Sequence, residues 1–433
     1  MSLEPVDSAF PLVEPRTPRL APSLSERMAR RVVRRVLRHL EEGEVRLREG
    51  SRTTTWGRRT ELWPDPVEVE VREPAFYPAI ALHGTVGSGE AWMAGHWACD
   101  DLTLLIRMIL HNQSMRSSLE EGTARLLRPL RAALHALRRN HRRGSRRNIS
   151  AHYDLGNDFF SLFLDPTMTY SCGVFERPDS TMEEASLAKY ERICKAIDLR
   201  EADHLLEIGT GWGGFAIHAA RTRGCRVTTT TISRAQYEWA RARVAEAGLD
   251  DRVEILLRDY RDLRGRYDKL VSIEMIEAVG HQYFPTYFRT CSELLAEHGR
   301  MALQCIVIGD DVYDQATRNV DFIKRYIFPG GCLPSLEVIA RQVAEQTDLV
   351  ITAGEDITAH YGETLRRWRR RLYENAQAIR ARGYPDSLLR MWEFYFCYCE
   401  AGFAQRHIGT AQIVFEKPAA RSASSGTGAF SSI

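Results

Sequence analysis

The stretch Leu205-Leu206-Glu207-Ile208-Gly209-Thr210-Gly211-Trp212-Gly213-Gly214 runs an apolar strand into a glycine turn, with an acid two residues ahead of the first glycine. Glycines at 209 and 211 let backbone approach a ligand where any Cβ would collide. Residues 215–223 then read as a helix whose N-terminal N–H groups face that ligand. The string also fits G-x-G-x-x-G through Gly209, Gly211 and Gly214, so two cofactor classes compete for it.

A nicotinamide dinucleotide wants an acid roughly 20 residues beyond the glycines, at the end of the second strand, to bind its ribose. Thr229-Thr230-Thr231 stands there instead. Arg234 remains available for a 2′-phosphate, so the objection is weaker for NADP than for NAD. Glu207 counts against both, because dinucleotide turns carry an apolar residue at that place. S-adenosylmethionine fits better: it brings a cationic amino group to meet the carboxylate and no phosphate that would need an anion nest. The turn residues Glu207, Gly209, Gly211, Trp212 and Gly213 would hold it. Thr231 and Gln236 would supply polar groups for the ribose, and Asp259 with Tyr260 an adenine partner and a flat wall. Taken singly, Thr231 and Gln236 are also what an ordinary helix start contains.

Outward from the turn, residues 204–208, 226–231, 253–257, 269–273 and 300–306 are short apolar or β-branched runs of the kind buried parallel strands show. Residues 215–222, 235–247 and 283–293 read as the helices between them. The alternation predicts an α/β fold, a doubly wound methyltransferase-type Rossmann-like sheet, with ligands bound outside the carboxyl ends of the strands. This domain spans residues 148–417. Residues 24–120 predict a smaller N-terminal α+β domain, with a helix over 28–40 and strand-like runs at 44–48, 67–71 and 79–83. Residues 1–23, with four prolines before position 20, and the Ser/Gly/Ala tail 418–433 read as disordered.

At 433 residues and 44% apolar content the chain has material for more than one core. It has no run of eighteen uncharged apolar residues and no apolar signal core, which predicts a cytoplasmic protein. Nine scattered cysteines without a C-x-x-C pattern suit reduced thiols and indicate no metal. The net charge of +2 conceals a basic linker over 121–147, where nine arginines lie between Arg125 and Arg147 and no acid occurs from Gly122 to Tyr153. Its leucines at helical spacing suit either an anionic membrane surface or a solvated interdomain helix. It lacks the interleaved aromatics that base stacking would want, so nucleic acid is not expected.

The chain resembles the cyclopropane-fatty-acyl-phospholipid synthases, relatives of the mycolic acid cyclopropane synthases. The resemblance runs through His152-Tyr153-Asp154-Leu155-Gly156-Asn157, Met168-Thr169-Tyr170-Ser171-Cys172, the glycine turn, Asp259-Tyr260-Arg261-Asp262, Ser272-Ile273-Glu274-Met275-Ile276-Glu277 and Arg325-Tyr326-Ile327-Phe328-Pro329-Gly330-Gly331. It returns near Cys399, and Gly87-Ser88-Gly89-Glu90-Ala91-Trp92-Met93 matches the family's N-terminal lipid-handling domain.

The resemblance implies transfer of the sulfonium methyl to a cis double bond of a phospholipid acyl chain, then proton loss and ring closure. Its base would be a bicarbonate ion held by Cys172, Glu277, Gln304 and Tyr361, with Cys399 nearby. Tyr170 and Ser171 would contact the cofactor carboxylate. It further implies peripheral contact with the inner face of the cell membrane and a homodimer. Gln304 and Ala278 stand where the family has histidines, so position 304 cannot respond to pH as an imidazole does.

Each residue has a plainer reading too. A lone cysteine such as Cys172 is more often a small buried hydrophobe. Tyr170-Ser171 is also a loop tyrosine with a capping serine, and the aromatic helix around Cys399 is either core or the wall of an acyl channel. Glu277 is harder to explain away, because an unpaired carboxylate in an apolar run beyond a strand is costly. Two rivals stay open. The same cation losing a different proton gives a methylene or methyl-branched chain, and a lipid-binding protein with a vestigial fold would transfer nothing.

Overall fold

The computed structural model describes residues 23–112 and 156–418. The terminal segments read as disordered, all but Ser23 and Pro418, and the basic linker lie outside them. The described residues fall into two compact units.

The second unit takes in the described part of Arg138–Arg318, with Phe328–Thr364 and the strand from Ile408 on. Its seven-stranded sheet has the order β10-β11-β9-β8-β5-β6-β7. The strands are β5 (His204–Ile208), β6 (Arg226–Thr231), β7 (Val253–Leu257), β8 (Tyr267–Ile273), β9 (Leu295–Ile308), β10 (Val350–Asp356) and β11 (Ile408–Glu416). The five strands from β9 to β7 are parallel, whereas β11 runs antiparallel to β9 and β10 antiparallel to β11. The sheet is therefore mixed: the five strands expected from the sequence are parallel, and β11 and β10 extend one edge in the antiparallel sense.

Successive strand residues point to opposite faces, and both faces are covered. Leu205 and Val271 pack with Tyr190 and Ile193 of helix α4 (Met182–Ala196) and with Phe215 and Ile217 of helix α5 (Gly214–Arg223). Their neighbours Leu206 and Leu270 face the other layer, where helix α7 (Phe284–Leu294) brings Phe284, Tyr287, Phe288 and Cys291 at helical spacing. Helix α8 (Leu336–Gln346) adds Val338 and Ile339 to that layer. Removing a wholly buried ring such as that of Phe288 would cost about 3–5 kcal/mol. Between β6 and β7 runs helix α6 (Arg234–Glu246), opened by Ser233, whose side chain accepts from the Gln236 N–H.

The first unit is built on a four-stranded sheet ordered β2-β1-β3-β4. Its strands are β1 (Gly43–Glu49), β2 (Arg52–Arg58), β3 (Pro66–Val71) and β4 (Trp97–Cys99). Helices α1 (Leu24–Leu37), α2 (Phe76–Met93) and α3 (Leu102–His111) accompany it. Residues 79–83, expected as a strand, are helical within α2, which bends at Gly84 (φ 55°, ψ −131°). A short apolar run has no period long enough to separate strand from buried helix.

Asn319–Ile327 and Leu365–His407 also belong to this unit, although the linear division assigned them to residues 148–417. Helix α10 (Asp386–Ala404) is apolar on most of its circumference and buries that surface against α2 and α3. Gly89 makes room for this packing: a Cβ there would lie 2.3 Å from the ring of Phe322, which stands 4.6 Å from Phe394 of α10.

Candidate active site

The glycine turn follows β5, in the middle of the sheet. Gly209, Gly211 and Gly213 all have positive φ (108°, 52° and 87°). A Cβ on Gly211 would meet nothing within 4 Å, so open space lies beside it, whereas one on Gly213 would press on Ala240 of α6 at 3.3 Å. The Gly209 and Thr210 N–H groups both donate to the Thr230 carbonyl, fixing the turn to the end of β6. Trp212 donates its indole N–H to Asn157 at 2.7 Å, and Asn157 donates in turn to the Ala235 carbonyl at the start of α6.

Glu207 is buried, with Oε2 accepting from Thr229 at 2.6 Å. Its other oxygen accepts no hydrogen bond among the described residues. Burial pushes this carboxyl up to about 8, only partly offset by Thr229 and the cation of Lys189. Hydroxyl or ammonium donors of a ligand would reverse that shift. An under-satisfied buried carboxylate beside an open glycine turn fits the amino group and ribose of S-adenosylmethionine.

A second cluster forms at the carboxyl ends of β8 and β9. Glu274 directly follows β8 and adopts φ 48°, the left-handed region that side chains other than Gly, Asn and Asp rarely enter. Its N–H donates to the Gln304 carbonyl. Three donors converge on its carboxylate: the Cys172 N–H (2.9 Å) and Gln304 Nε2 (2.8 Å) on Oε1, and the Tyr361 hydroxyl (2.6 Å) on Oε2. Gln304 receives a hydrogen bond on Oε1 from Gln412, its cross-strand partner on β11, which fixes its amide with nitrogen toward Glu274. Burial raises the Glu274 pKa, while Tyr361, the Lys189 cation, Gln304 and the Cys172 N–H pull it back.

Three residues on, Glu277 accepts from the Ile306 N–H at 2.6 Å, and its Oε2 is buried with no partner. Burial, reinforced by the charge on Glu274, pushes this carboxyl up to about 8. The two acids are thus driven apart: Glu274, with three donors, is the one built to hold charge, and Glu277 the one built to keep its proton. Lys189 of α4 is fully buried, donates to Ser171 Oγ at 2.5 Å, and is brought down to about 8 by burial despite the carboxylates around it.

Cys172, Gln304 and Tyr361, expected to act together, do converge, but on the Glu274 carboxylate. Cys172 contributes its backbone N–H, while its buried thiol has its pKa raised and donates to Gly173 O. Ser171 meets Lys189, and Tyr170 packs edge-on against Phe160. Thr231 donates to Gln236 at 2.9 Å, so these two form the helix start together. Asp259 is held by both the Nε and Nη2 of Arg261, and Tyr260 packs on Tyr287 within the core. Cys399 belongs to the first unit, on α10, where burial raises its thiol pKa.

Glu274, Lys189 and Gln412 are the residues sequence reasoning passed over. The signal for Glu274 was its place just after a buried strand. For Lys189 it was a lysine on the same helical stripe as Met182, Ser186 and Ile193.

Sheet, glycine turn and buried acid at the end of β5 define an S-adenosylmethionine-dependent methyltransferase. A family model described as mycolic acid cyclopropane synthetase matches residues 140–413, and the chain belongs to that family. It is 38% identical over 349 residues to the tuberculostearic acid methyltransferase UfaA1 of Mycobacterium tuberculosis, covering 79% of this chain and 81% of that one. It is 35% identical over 353 residues to the cyclopropane-fatty-acyl-phospholipid synthase of Escherichia coli K12, covering 81% and 88%. Among solved structures, the mycolic acid cyclopropane synthase CmaA1 complexed with SAH and CTAB superposes with a TM-score of 0.59 at 30% identity, over 63% of this chain and 98% of that one.

Proposed function

We propose that this chain transfers the sulfonium methyl of S-adenosylmethionine to a cis double bond of an unsaturated phospholipid acyl chain and closes a cyclopropane ring. The observation that carries this reading is the convergence of Gln304 and Tyr361 on Glu274 at the carboxyl ends of β8 and β9, one strand from the glycine turn on β5. An alkene attacking a methyl leaves positive charge on carbon, so a site for this chemistry needs fixed negative charge away from water and a proton acceptor. Both needs are met by carboxylates here.

The bicarbonate ion implied by the resemblance does not fit these residues. The donors assigned to it are engaged by Glu274, and a second anion beside that carboxylate would meet repulsion in a low-dielectric site. No step of the proposal runs through bicarbonate.

The phospholipid would be met at an anionic membrane surface. On α1, Leu24, Met28 and Val32 are 68%, 60% and 38% exposed at successive helical turns, with Arg27, Arg31, Arg35 and Arg38 exposed beside them. Apolar stripe and flanking arginines match an interfacial helix. No described helix is long and apolar enough to cross a membrane.

A second reading is supported by the relative named as a tuberculostearic acid methyltransferase: the cation loses a different proton and a methylene or methyl-branched chain results. Purified protein given labelled S-adenosylmethionine and vesicles of a cis-monounsaturated phospholipid tests both. High-field ring protons in the product NMR spectrum are expected. Vinylidene signals in their place would favour the second reading, and label-free lipid would overturn both.

A further inference from the structure

Glu274 is the half-buried acid whose donors are organised to keep it charged, and the roles assigned to Cys172, Gln304 and Tyr361 come together only through it. The cost of putting it there is visible in the backbone. A glutamate at φ 48° is strained, and such strain persists where the surrounding structure over-determines it. The over-determination is specific: the Glu274 N–H is bound to Gln304 O, its Oε1 takes two donors and its Oε2 takes one.

A carboxylate oxygen has about two lone-pair sites. Oε1 is therefore filled by the Cys172 N–H and Gln304, and Oε2 retains one free site beside Tyr361. Lys189 supplies a buried cation among the carboxylates, and Glu277, next in the same run of chain, favours its protonated form. The cluster thus holds one carboxylate with a single open basic position.

We propose that Glu274 is the chain's own general base, its Oε2 accepting the proton lost after methyl transfer, in the seat where the resemblance implies a bicarbonate ion. This inference rests on the proposed transfer to an acyl double bond. In that step the alkene π pair forms a new C–CH3 bond while the S–CH3 bond breaks, its electrons remaining on sulfur as a neutral thioether. One C–H bond of the added methyl then breaks. Its proton goes to Glu274 Oε2, and its electron pair forms the bond to the neighbouring cationic carbon that closes the ring. The proton leaves to solvent before the next turnover.

The test compares full-length wild type, Glu274→Gln and Glu274→Gly, with labelled S-adenosylmethionine and cis-monounsaturated phospholipid vesicles, in buffer stripped of bicarbonate and with bicarbonate restored. Wild type is expected to run at the same rate, within about twofold, in both buffers. Glu274→Gln keeps shape and hydrogen-bonding size but not basicity, and should lose at least about a hundredfold in turnover while binding S-adenosylmethionine normally. Glu274→Gly is well suited to the left-handed backbone and frees the three donors. It should be inactive alone and gain at least about tenfold when bicarbonate is added, a rescue that a purely structural role would not produce. A wild-type rate that collapses without bicarbonate, or a Glu274→Gln enzyme that stays active, overturns the proposal while leaving the functional reading intact. A wild type that transfers no label in either buffer overturns the functional reading, and this inference with it.

Discussion

Tyr361 donates its hydroxyl to Glu274 Oε2 at 2.6 Å across 87 residues of sequence. The bond joins the first turn of helix α9 (Thr358–Glu374) to the residue after β8, and it is the largest influence opposing the effect of burial on the Glu274 pKa. It favours the ionised form of this acid, as the Lys189 cation, Gln304 and the Cys172 N–H also do.

Replacing Tyr361 with Phe removes that donor without changing the ring. A hydrogen bond to a charged group contributes about 1.5–3 kcal/mol, which is about 1–2 pKa units. The base acts when deprotonated, so activity is lost as pH falls through its pKa. The acidic limb of the kcat/KM profile should move to higher pH by about 1–2 units. An unmoved limb would show that Tyr361 does not tune the base.

Gly211→Ala places a methyl group in the open space beside the turn and forces a side chain onto φ 52°. The strain should cost about 1–2 kcal/mol of stability, read as a lowered Tm. Titration calorimetry should find S-adenosylmethionine affinity reduced at least about tenfold, since the methyl enters space assigned to the cofactor. Unaltered affinity would move the cofactor away from this turn.

Glu277→Gln should change turnover and cofactor affinity little, because a neutral amide stands in for a carboxyl that keeps its proton near neutral pH and can still accept from the Ile306 N–H. It should alter stability in a pH-dependent way. A carboxyl whose folded pKa is raised from the ordinary 4.5 to about 8 gives its full stabilisation below pH 4.5 and loses it as pH rises toward 8. The Tm of the wild type should therefore carry a downward contribution over that window, and the Gln variant should show a shallower decline. An identical slope in both would mean that Glu277 ionises normally.

Arg27, Arg31 and Arg35 changed together to Gln should weaken binding to anionic vesicles by more than tenfold, at about 1 kcal/mol per residue near the surface. Wild-type binding in a vesicle cosedimentation assay should fall with added salt, and binding insensitive to both changes would remove α1 from the membrane interface.

Much of this molecule is legible in its sequence. Strands β5, β6 and β7 were bounded by apolar or β-branched runs, the turn by glycines that only positive φ explains, and Glu207 by its place ahead of them. These are local signals, written in neighbours a few residues apart. Resemblance brought Cys172, Gln304 and Tyr361 into one group.

What tertiary structure decided is where distant segments meet. The antiparallel edge of the sheet depends on β11, which begins at Ile408 while β9 ends at Ile308. The first unit's helical layer depends on α10 finding α2 and α3. The choice of base depends on three donors from three parts of the chain closing on Glu274. Sequence order records which side chains can accept a proton, but burial and long-range hydrogen bonds decide which of two carboxyls three residues apart holds charge and which keeps its proton.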